Sequence, residues 1–492
     1  MHTDRSTARR TAIHADTAAG TAAATAPTRS RPRFGSRFRR LSIGAVSAAA
    51  VVTLAACSVG AGAALSGSDA STTTTTTAQS ASTSSALATI DTHYDEEDLT
   101  WSEDEVSTVS LSDDGSTSDS DAVTVDGSTV TITAGGVYRL SGSLSDGSVV
   151  VAAGDEEGVT LILDGVDITS TTGPGLSVTS ADEATLYTAS GTENSIADGS
   201  GYEVADDSTP VAAIASAADL TLAGEGSLDA TGSTNDAISS RDGIVIVSGT
   251  YTLSAADDAV RGKDYVSVLD GDLTIEAGGD ALKSDNVEDA DRGWVLVSGG
   301  TLSIDAGDDG IKGEQAVEVA GGTVDITSSV EGIESAALTI SGGAVSVVAS
   351  DDGLNATAAD AAEEESADTA ASDGSTSEDA TTDDTASGAQ AGPGGGSESD
   401  DGSTATISGG TLTIQAGADG IDSNGSLSIT GGDLTIDSAS NGGEGAIDVN
   451  GTAEMTGGTL TANGTEVTDL AEVSTMTGGG MGGGQGGQPP RR

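Results

Sequence analysis

The sequence predicts an all-β chain wound as a parallel β-helix, a solenoid of about 22 residues per coil, interrupted by one disordered acidic insertion. Three observations point there. From about Asp121 onward, short segments such as TVTITAGG, VTLILDGVDIT and LSVTSA alternate apolar and polar residues with period two and close on Gly, Asp or Asn. Double glycines then recur, ending at Gly300, Gly322, Gly343, Gly410, Gly432 and Gly458, with spacings of 22, 21, 67, 22 and 26. Finally, aromatics make up 2 % of the chain against 70 glycines, so the core must be Ala, Val, Ile and Leu, which suits thin stacked layers better than a wide interior.

The N-terminal segment reads as a leader. Nine of the 18 basic residues fall in the first 40 positions, and Arg37, Arg39 and Arg40 precede the apolar run LSIGAVSAAAVVTLAAC, long enough for a signal-peptide core and short for a membrane span. The run ends in Leu54-Ala55-Ala56-Cys57, a lipobox pattern, and Cys57 is the only cysteine. Residues 1–57 are therefore expected to be a lipoprotein signal with Cys57 as the lipidated residue, anchoring the chain to the outer face of a bacterial cell membrane. A lone cysteine excludes a disulfide within the chain. Residues 58–100 follow as a Ser/Thr/Ala-rich spacer that includes six consecutive threonines from Thr72. From Cys57 on, 76 acidic residues stand against 9 basic ones, a net of −67, a field that repels nucleic acid and attracts divalent cations.

The β-helical domain is expected over residues 101–475. Each repeat carries three strand-like pieces, such as TLSIDA, DGIKGE and AVEVAGG. Leucine-rich repeats of similar length demand a Leu framework and an Asn ladder that are absent, and calcium-binding nonapeptide rolls demand a nine-residue GGxGxD. The one spacing of 67 contains residues 356–402, with 13 acids and no base, which reads as an extruded disordered loop. Residues 476–492 are a Gly/Met-rich tail.

Repeats stacked about 4.8 Å apart turn equivalent positions into columns. At the corner after the TLSIDA-type strand the column is acidic: Asp236, Asp258, Asp280, Asp309, Glu331, Asp352 and Asp419, often preceded by a second acid as in Asp257, Asp308 and Asp351. Neighbouring carboxylates repel by about 1 kcal/mol per pair in water and more where water is scarce, so raised pKa values, basic neighbours or bound cations must offset them. Three residues further on, the column runs Arg261, Lys283, Lys312, Glu334, Asn355, Asp422 and, with a one-residue slip, Asp448. The early repeats thus carry their own cation, while the later ones add oxygen. Clustered hard oxygens suit Ca²⁺, and Glu331, Glu334, Asp351, Asp352, Asp419 and Asp422 are the expected ligands; a hydrated acidic face that aids solubility is the competing reading. In the early half, the longer turn SDNVEDADRG ends at Trp294 and resembles the lip of a groove. Trp294 is the candidate for stacking on a sugar ring, with Lys283, Lys312 and Arg261 pairing uronate carboxylates; the alternative is that these cations only neutralise the acid column and that Trp294 plugs the end of a coil.

The segments GVYRLSGSLSDGSVVVAA, VTLILDGVDIT, ASGTENSIADG and ALKSDNVEDADRGWVLVSGGTLSIDAGDDGIKGE, with the tail TMTGGGMGGGQGG, resemble the carbohydrate-binding right-handed β-helix family of bacterial surface proteins, similar in fold to family 9 pectate lyases. The resemblance covers about residues 121–480. It implies a right-handed winding, a polysaccharide partner of the cellulose or polygalacturonate type or a wall glycan, and calcium at acidic corners. The lyase relatives combine an Asp-Asp-x-x-Asp calcium motif with a lysine base. Here Asp308-Asp309 leads to Lys312, Asp351-Asp352 to Asn355, and Asp419 with Asp422 has Ala418 in place of the first acid, so no repeat completes the motif. Lys283 and Lys312 are the only candidates for a base, and flanking carboxylates make a lysine a poor one. The expectation is a calcium-assisted, surface-anchored polysaccharide-binding lipoprotein, with a calcium-stiffened adhesive rod and a lyase as alternatives.

Overall fold

The period-two segments all become strands, and the aliphatic residue at every second position points inward. In the computed structural model of the chain, the described residues are Leu87, Ile90 and residues 92–199, 201–202, 211–358, 400–440 and 445–475. Cys57, the leader, the spacer through residue 86, insertion residues 359–399 and the tail 476–492 lie outside the described residues. Among the described residues there is no α-helix, only three short 3₁₀ turns.

Strands fall into two long sheets of 25 and 14 strands. Almost every pairing is parallel and joins a strand to its equivalent one repeat later. In one ladder, Asp272–Ala277 pairs with Thr301–Ala306, with Leu273 against Leu302 and Ile275 against Ile304. Thr301–Ala306 pairs in turn with Thr323–Ser328. A second ladder stacks Tyr265–Val268, Trp294–Val297 and Ala316–Val319. The smaller sheet stacks the short strands Leu282–Ser284, Ile311–Gly313 and Ile333–Ser335. Across the acidic insertion the register closes directly, with Ala344–Ala349 on Thr411–Ala416 and Leu354–Ala356 on Ile421–Ser423. The 67-residue spacing is thus one step of the stack.

The core is the inward column of each ladder. Leu302, Val324, Ile304, Ile326, Ile311 and Ile333 are at most 1 % exposed, and each such side chain contributes about 1.5–3 kcal/mol of burial. Stacking this close leaves no room at the corners. Gly322 has φ +77°, and a Cβ there would come within 2.7 Å of the Gly300 carbonyl oxygen, so both its left-handed backbone and its contact demand glycine. The described ends are closed by antiparallel hairpins, Val123–Asp126 with Thr129–Ile132 at one and Thr459–Ala462 with Thr465–Val467 at the other, which cover sheet edges that would otherwise be open to pairing.

Ahead of the first strand, Val106–Leu111, the chain crosses the outer face of the second ladder. The Leu87 amide donates to Glu318 Oε2 at 3.0 Å, the His93 amide to the Tyr265 hydroxyl at 3.0 Å, Trp101 packs edge-on against Tyr187, and Glu103 pairs with Arg139 at 3.1 Å. Residues 92–100, read from sequence as the end of the spacer, therefore lie on the sheet.

Candidate functional site

From Val260–Gly262 to Ile447–Val449, each repeat of the smaller sheet contributes a three-residue strand whose outer residues are buried and whose middle side chain leans out. The glycine-acid turn before it sets an Asp or Glu at the strand's mouth. Register then builds two columns. Middle residues pair as Arg261 with Lys283, Lys283 with Lys312, Lys312 with Glu334, Glu334 with Asn355, Asn355 with Asp422 and Asp422 with Asp448. The second column is the acidic one, buried at Asp236, Asp258, Asp280 and Asp309, which are 1–2 % exposed, and at Asp419, 6 % exposed, and partly buried at Glu331 and Asp352.

Backbone amides feed this column. The amide of Asp280 donates to Asp258 Oδ1 at 2.9 Å, that of Asp309 to Asp280 Oδ1 at 2.8 Å, and that of Asp419 to Asp352 Oδ1 at 2.7 Å. Each carboxylate thereby holds the next repeat's turn in place. The remaining charge meets lysines set between repeats. Lys283 Nζ lies 2.9 Å from Asp280 Oδ2 and 3.3 Å from Asp258 Oδ2, bridging backward. Lys312 Nζ lies 3.3 Å from Asp309 Oδ2 and 2.8 Å from Glu334 Oε1, bridging forward.

The electrostatics follow from burial. Burial, then the charge of Asp258, pushes Asp236 up to about 8. Burial and Asp280 push Asp309 up to about 7 in spite of Lys312. Burial, then the hydrogen bond and charge of Glu334, raises Glu331, while Glu334 ends below its ordinary value because Glu331, Lys312 and Asn355 outweigh its own burial. Asn355 Nδ2 donates to Glu331 Oε2 at 2.8 Å. Burial works against the charge of both lysines, yet Asp280 and Asp258 raise Lys283, and Glu334 and Asp309 raise Lys312. An ammonium held this firmly does not give up its proton to become a base near neutral pH.

The residues expected from sequence are placed as follows. Glu331 and Glu334 join Asp309 in a group of carboxylates whose oxygens converge within 4.8 Å, and Asp280–Asp308–Asp309 and Asp236–Asp257–Asp258 form two more such groups. Asp351, Asp352, Asp419 and Asp422 fall in none of these groups among the described residues. Asp352 and Asp419 each spend an oxygen on a backbone amide, Asp419 on that of Gly445. Arg261 is turned away from the acid column onto Asp285 Oδ2, with Nε at 3.0 Å, and Lys263 Nζ reaches the Asp285 carbonyl at 3.0 Å. All three expected uronate-binding cations are thus engaged with the chain's own acids.

Trp294 needs correction. It is 2 % exposed, and its ring stacks face to face on Tyr265 with centroids 4.6 Å apart and planes 7° from parallel, so it has no open face for a sugar. It belongs to an outer cluster with Val245, Tyr265 and Leu296, against which Leu87 and Tyr94 pack. Sequence reasoning also missed Asp285, the hub for Arg261 and Lys263, and His93. His93 Nδ1 lies 2.7 Å from the Tyr265 hydroxyl and 3.3 Å from Asp219 Oδ1, and Nε2 lies 2.9 Å from Thr221 Oγ1. A signal existed: His93 is the only histidine after His14.

A parallel-stranded, all-β chain with a buried, lysine-bridged acidic corner is the class the structure defines. A protein-family model described as "Carbohydrate-binding domain-containing protein" matches residues 126–360, which contain Asp236 through Glu334. A carbohydrate-binding domain-containing protein of Acetivibrio thermocellus is 34 % identical over 137 residues, 27 % of this chain and 48 % of the relative, so the chain spans about half the length of that protein. Among solved structures, a polysaccharide lyase-like protein from C. thermocellum, as a gadolinium derivative, is 30 % identical with a TM-score of 0.42, over 49 % of this chain and 93 % of the other.

Proposed function

We propose that this chain binds polysaccharide and displays its binding domain, a right-handed parallel β-helix, at the outer face of a bacterial membrane through lipid on Cys57. The observation that carries the binding reading is the match of a carbohydrate-binding family model across residues 126–360. A basic patch for acidic glycan is not what the corner offers, because Lys283, Lys312 and Arg261 each have a carboxylate within 3.0 Å. That favours an uncharged glycan. Calcium remains part of the proposal, with the ligands moved. An ammonium bridges two carboxylates in the Asp309–Glu331–Glu334 group, and lysines touch both Asp280 and Asp309 in the next, whereas in Asp236–Asp257–Asp258 only Asp258 has a lysine, at 3.3 Å. Arg261 acts on Asp236 and Asp258 through its charge but hydrogen-bonds Asp285, so three converging carboxylates with one lysine contact suit a hard divalent ion. The lysine bridges themselves favour a second reading, in which the corner only stiffens a surface rod.

The test is retention of the purified chain on a panel of neutral and acidic polysaccharides, first with calcium and then with chelator. Retention on neutral glycans supports the proposal. Retention on none leaves the rod, and release of an unsaturated uronide, read by its ultraviolet absorbance, would restore the lyase.

A further inference from the structure

The outer face of the ladder from Glu183–Thr188 to Ala316–Val319 ought to meet water, because the alternate residues of each strand already fill the core. Instead it is sealed. Val245, Ser267 and Leu296, aligned by register on adjacent strands, are 0 %, 1 % and 3 % exposed, and the next residue of the column, Glu318, is 2 % exposed. One repeat beyond Glu318, where Thr339 takes its place, the column is partly open again. The seal is formed by Leu87 and residues 92–101.

That segment closes the strip without satisfying it. Ser267 Oγ and Trp294 Nε1 both lie on the strip, both are buried, and neither has a hydrogen-bond partner among the described residues. Buried polar atoms without partners are rare and costly, and here two occur under one covering segment. The segment itself is held largely by polar contacts, the three of the His93 ring and the Leu87 amide on Glu318, with apolar contact from Leu87 and Tyr94. A strip with an apolar floor, two unused polar groups and the carboxylates of Asp219 and Glu318 has the make-up of a ligand groove. Donors and acceptors spread along it suit a chain rich in hydroxyls, and the two carboxylates repel an anionic one.

We propose that this strip is a groove for an uncharged glycan chain and that Leu87 with residues 92–99 forms a strap that occupies it in the free protein. The inference rests on the polysaccharide-binding reading and assigns it a site and a control. The glycan competes with the strap, and His93 sets how hard the strap is to displace.

The full chain and its His93→Ala variant are titrated with a soluble neutral β-glucan by calorimetry, and amide exchange of residues 92–99 is followed with and without glucan. The expected results are about tenfold tighter glucan binding by His93→Ala and faster exchange in the strap when glucan binds. In the His93→Ala background, Ser267→Ala should return affinity toward that of the parent while leaving the thermal midpoint unchanged or higher, since it removes an unpartnered hydroxyl. If both proteins bind glucan equally and the strap stays protected, the groove is elsewhere and only this inference falls. If neither binds any glycan, the polysaccharide reading falls and this inference goes with it.

Discussion

Lys312 is where the corner's electrostatics can be put to a number. Replacing it with methionine keeps most of its stem and removes an ammonium that lies 3.3 Å from Asp309 Oδ2 and 2.8 Å from Glu334 Oε1. Removing one partner of a buried pair costs about 3–5 kcal/mol when the other charge is left uncompensated. The Lys312 side chain is 24 % exposed and water takes part of that load, so about 2–3 kcal/mol is expected where both carboxylates are ionised. The carboxylates have an escape, however. Asp309 already sits at about 7 with Lys312 present, and without it the folded-state value rises further above the unfolded 3.8. A carboxyl raised by folding stabilises the fold where it keeps its proton and loses that contribution as pH climbs through the folded value, at about 1.4 kcal/mol per pH unit per proton. The deficit of Lys312→Met should therefore be about 2–3 kcal/mol near pH 8 and shrink to about 1 kcal/mol or less near pH 5. Thermal scans of both proteins at the two pH values, in chelator and at fixed ionic strength, give the comparison. Midpoints rather than extrapolated free energies should be compared, because long repeat arrays depart from two-state unfolding. A deficit equal at both pH values, or larger in acid, would mean that Lys312 does not neutralise this column.

The parent protein should itself lose stability as pH rises from about 6 to 9, since Asp309 at about 7 and Asp236 at about 8 hold protons that the unfolded chain has released; a midpoint that climbs over that range contradicts the reading. Gly322→Ala, with φ +77° and the Gly300 carbonyl 2.7 Å from the new Cβ, should lower the thermal midpoint well beyond Gly127→Ala, where φ is +61° and nothing lies within 4 Å. The open site isolates the backbone strain, about 1–2 kcal/mol. Trp294→Ala should cost about 3–5 kcal/mol through lost packing on Tyr265, seen as a lower midpoint in the absence of any glycan. Calcium at about 100 times its dissociation constant should add about 2.7 kcal/mol, and Asp236→Asn should abolish the increment; a midpoint indifferent to chelator removes calcium from the proposal.

Much of this architecture was legible because a stack turns sequence spacing into distance. Asp258, Asp280 and Asp309 each stand three residues before Arg261, Lys283 and Lys312, and the amide of one acid donates to the carboxylate of the one before. Even the slip at Asp448 was readable, since Asp422 and Asp448 do pair. Trp294 was not legible, for a physical reason. A ring after a long turn has the same local sequence whether its outer side meets water or a covering segment, and the cover comes from Leu87 and Tyr94, some 200 residues away. Tyr94 sits in DTHYDEEDLTW, whose acidity and lack of apolar period resemble a linker. Docking there depends on single contacts, such as His93 to Tyr265, and period carries no trace of them.

The direction in which each lysine leans was equally invisible, and it decides where charge is left over. Sequence shows one cation beside the acids of Lys283's repeat and one in Lys312's. Only the structure shows Lys283 reaching back to Asp258 and Lys312 reaching forward to Glu334. Two lysines thereby serve four carboxylates, Asp258, Asp280, Asp309 and Glu334. Above them, burial and Glu334 raise Glu331, and Asn355 Nδ2 donates to it at 2.8 Å. Below them, Arg261 would have been the next bridge, but Asp285 draws it off. Asp236, 2 % exposed, accepts from Asn235 Nδ2 at 3.0 Å and feels the charge of Arg261, yet burial and Asp258 still raise it to about 8. A divalent ion at Asp236–Asp257–Asp258 would relieve that repulsion but must first displace the proton, so the calcium proposal carries a pH dependence, with binding that strengthens as pH rises through about 8.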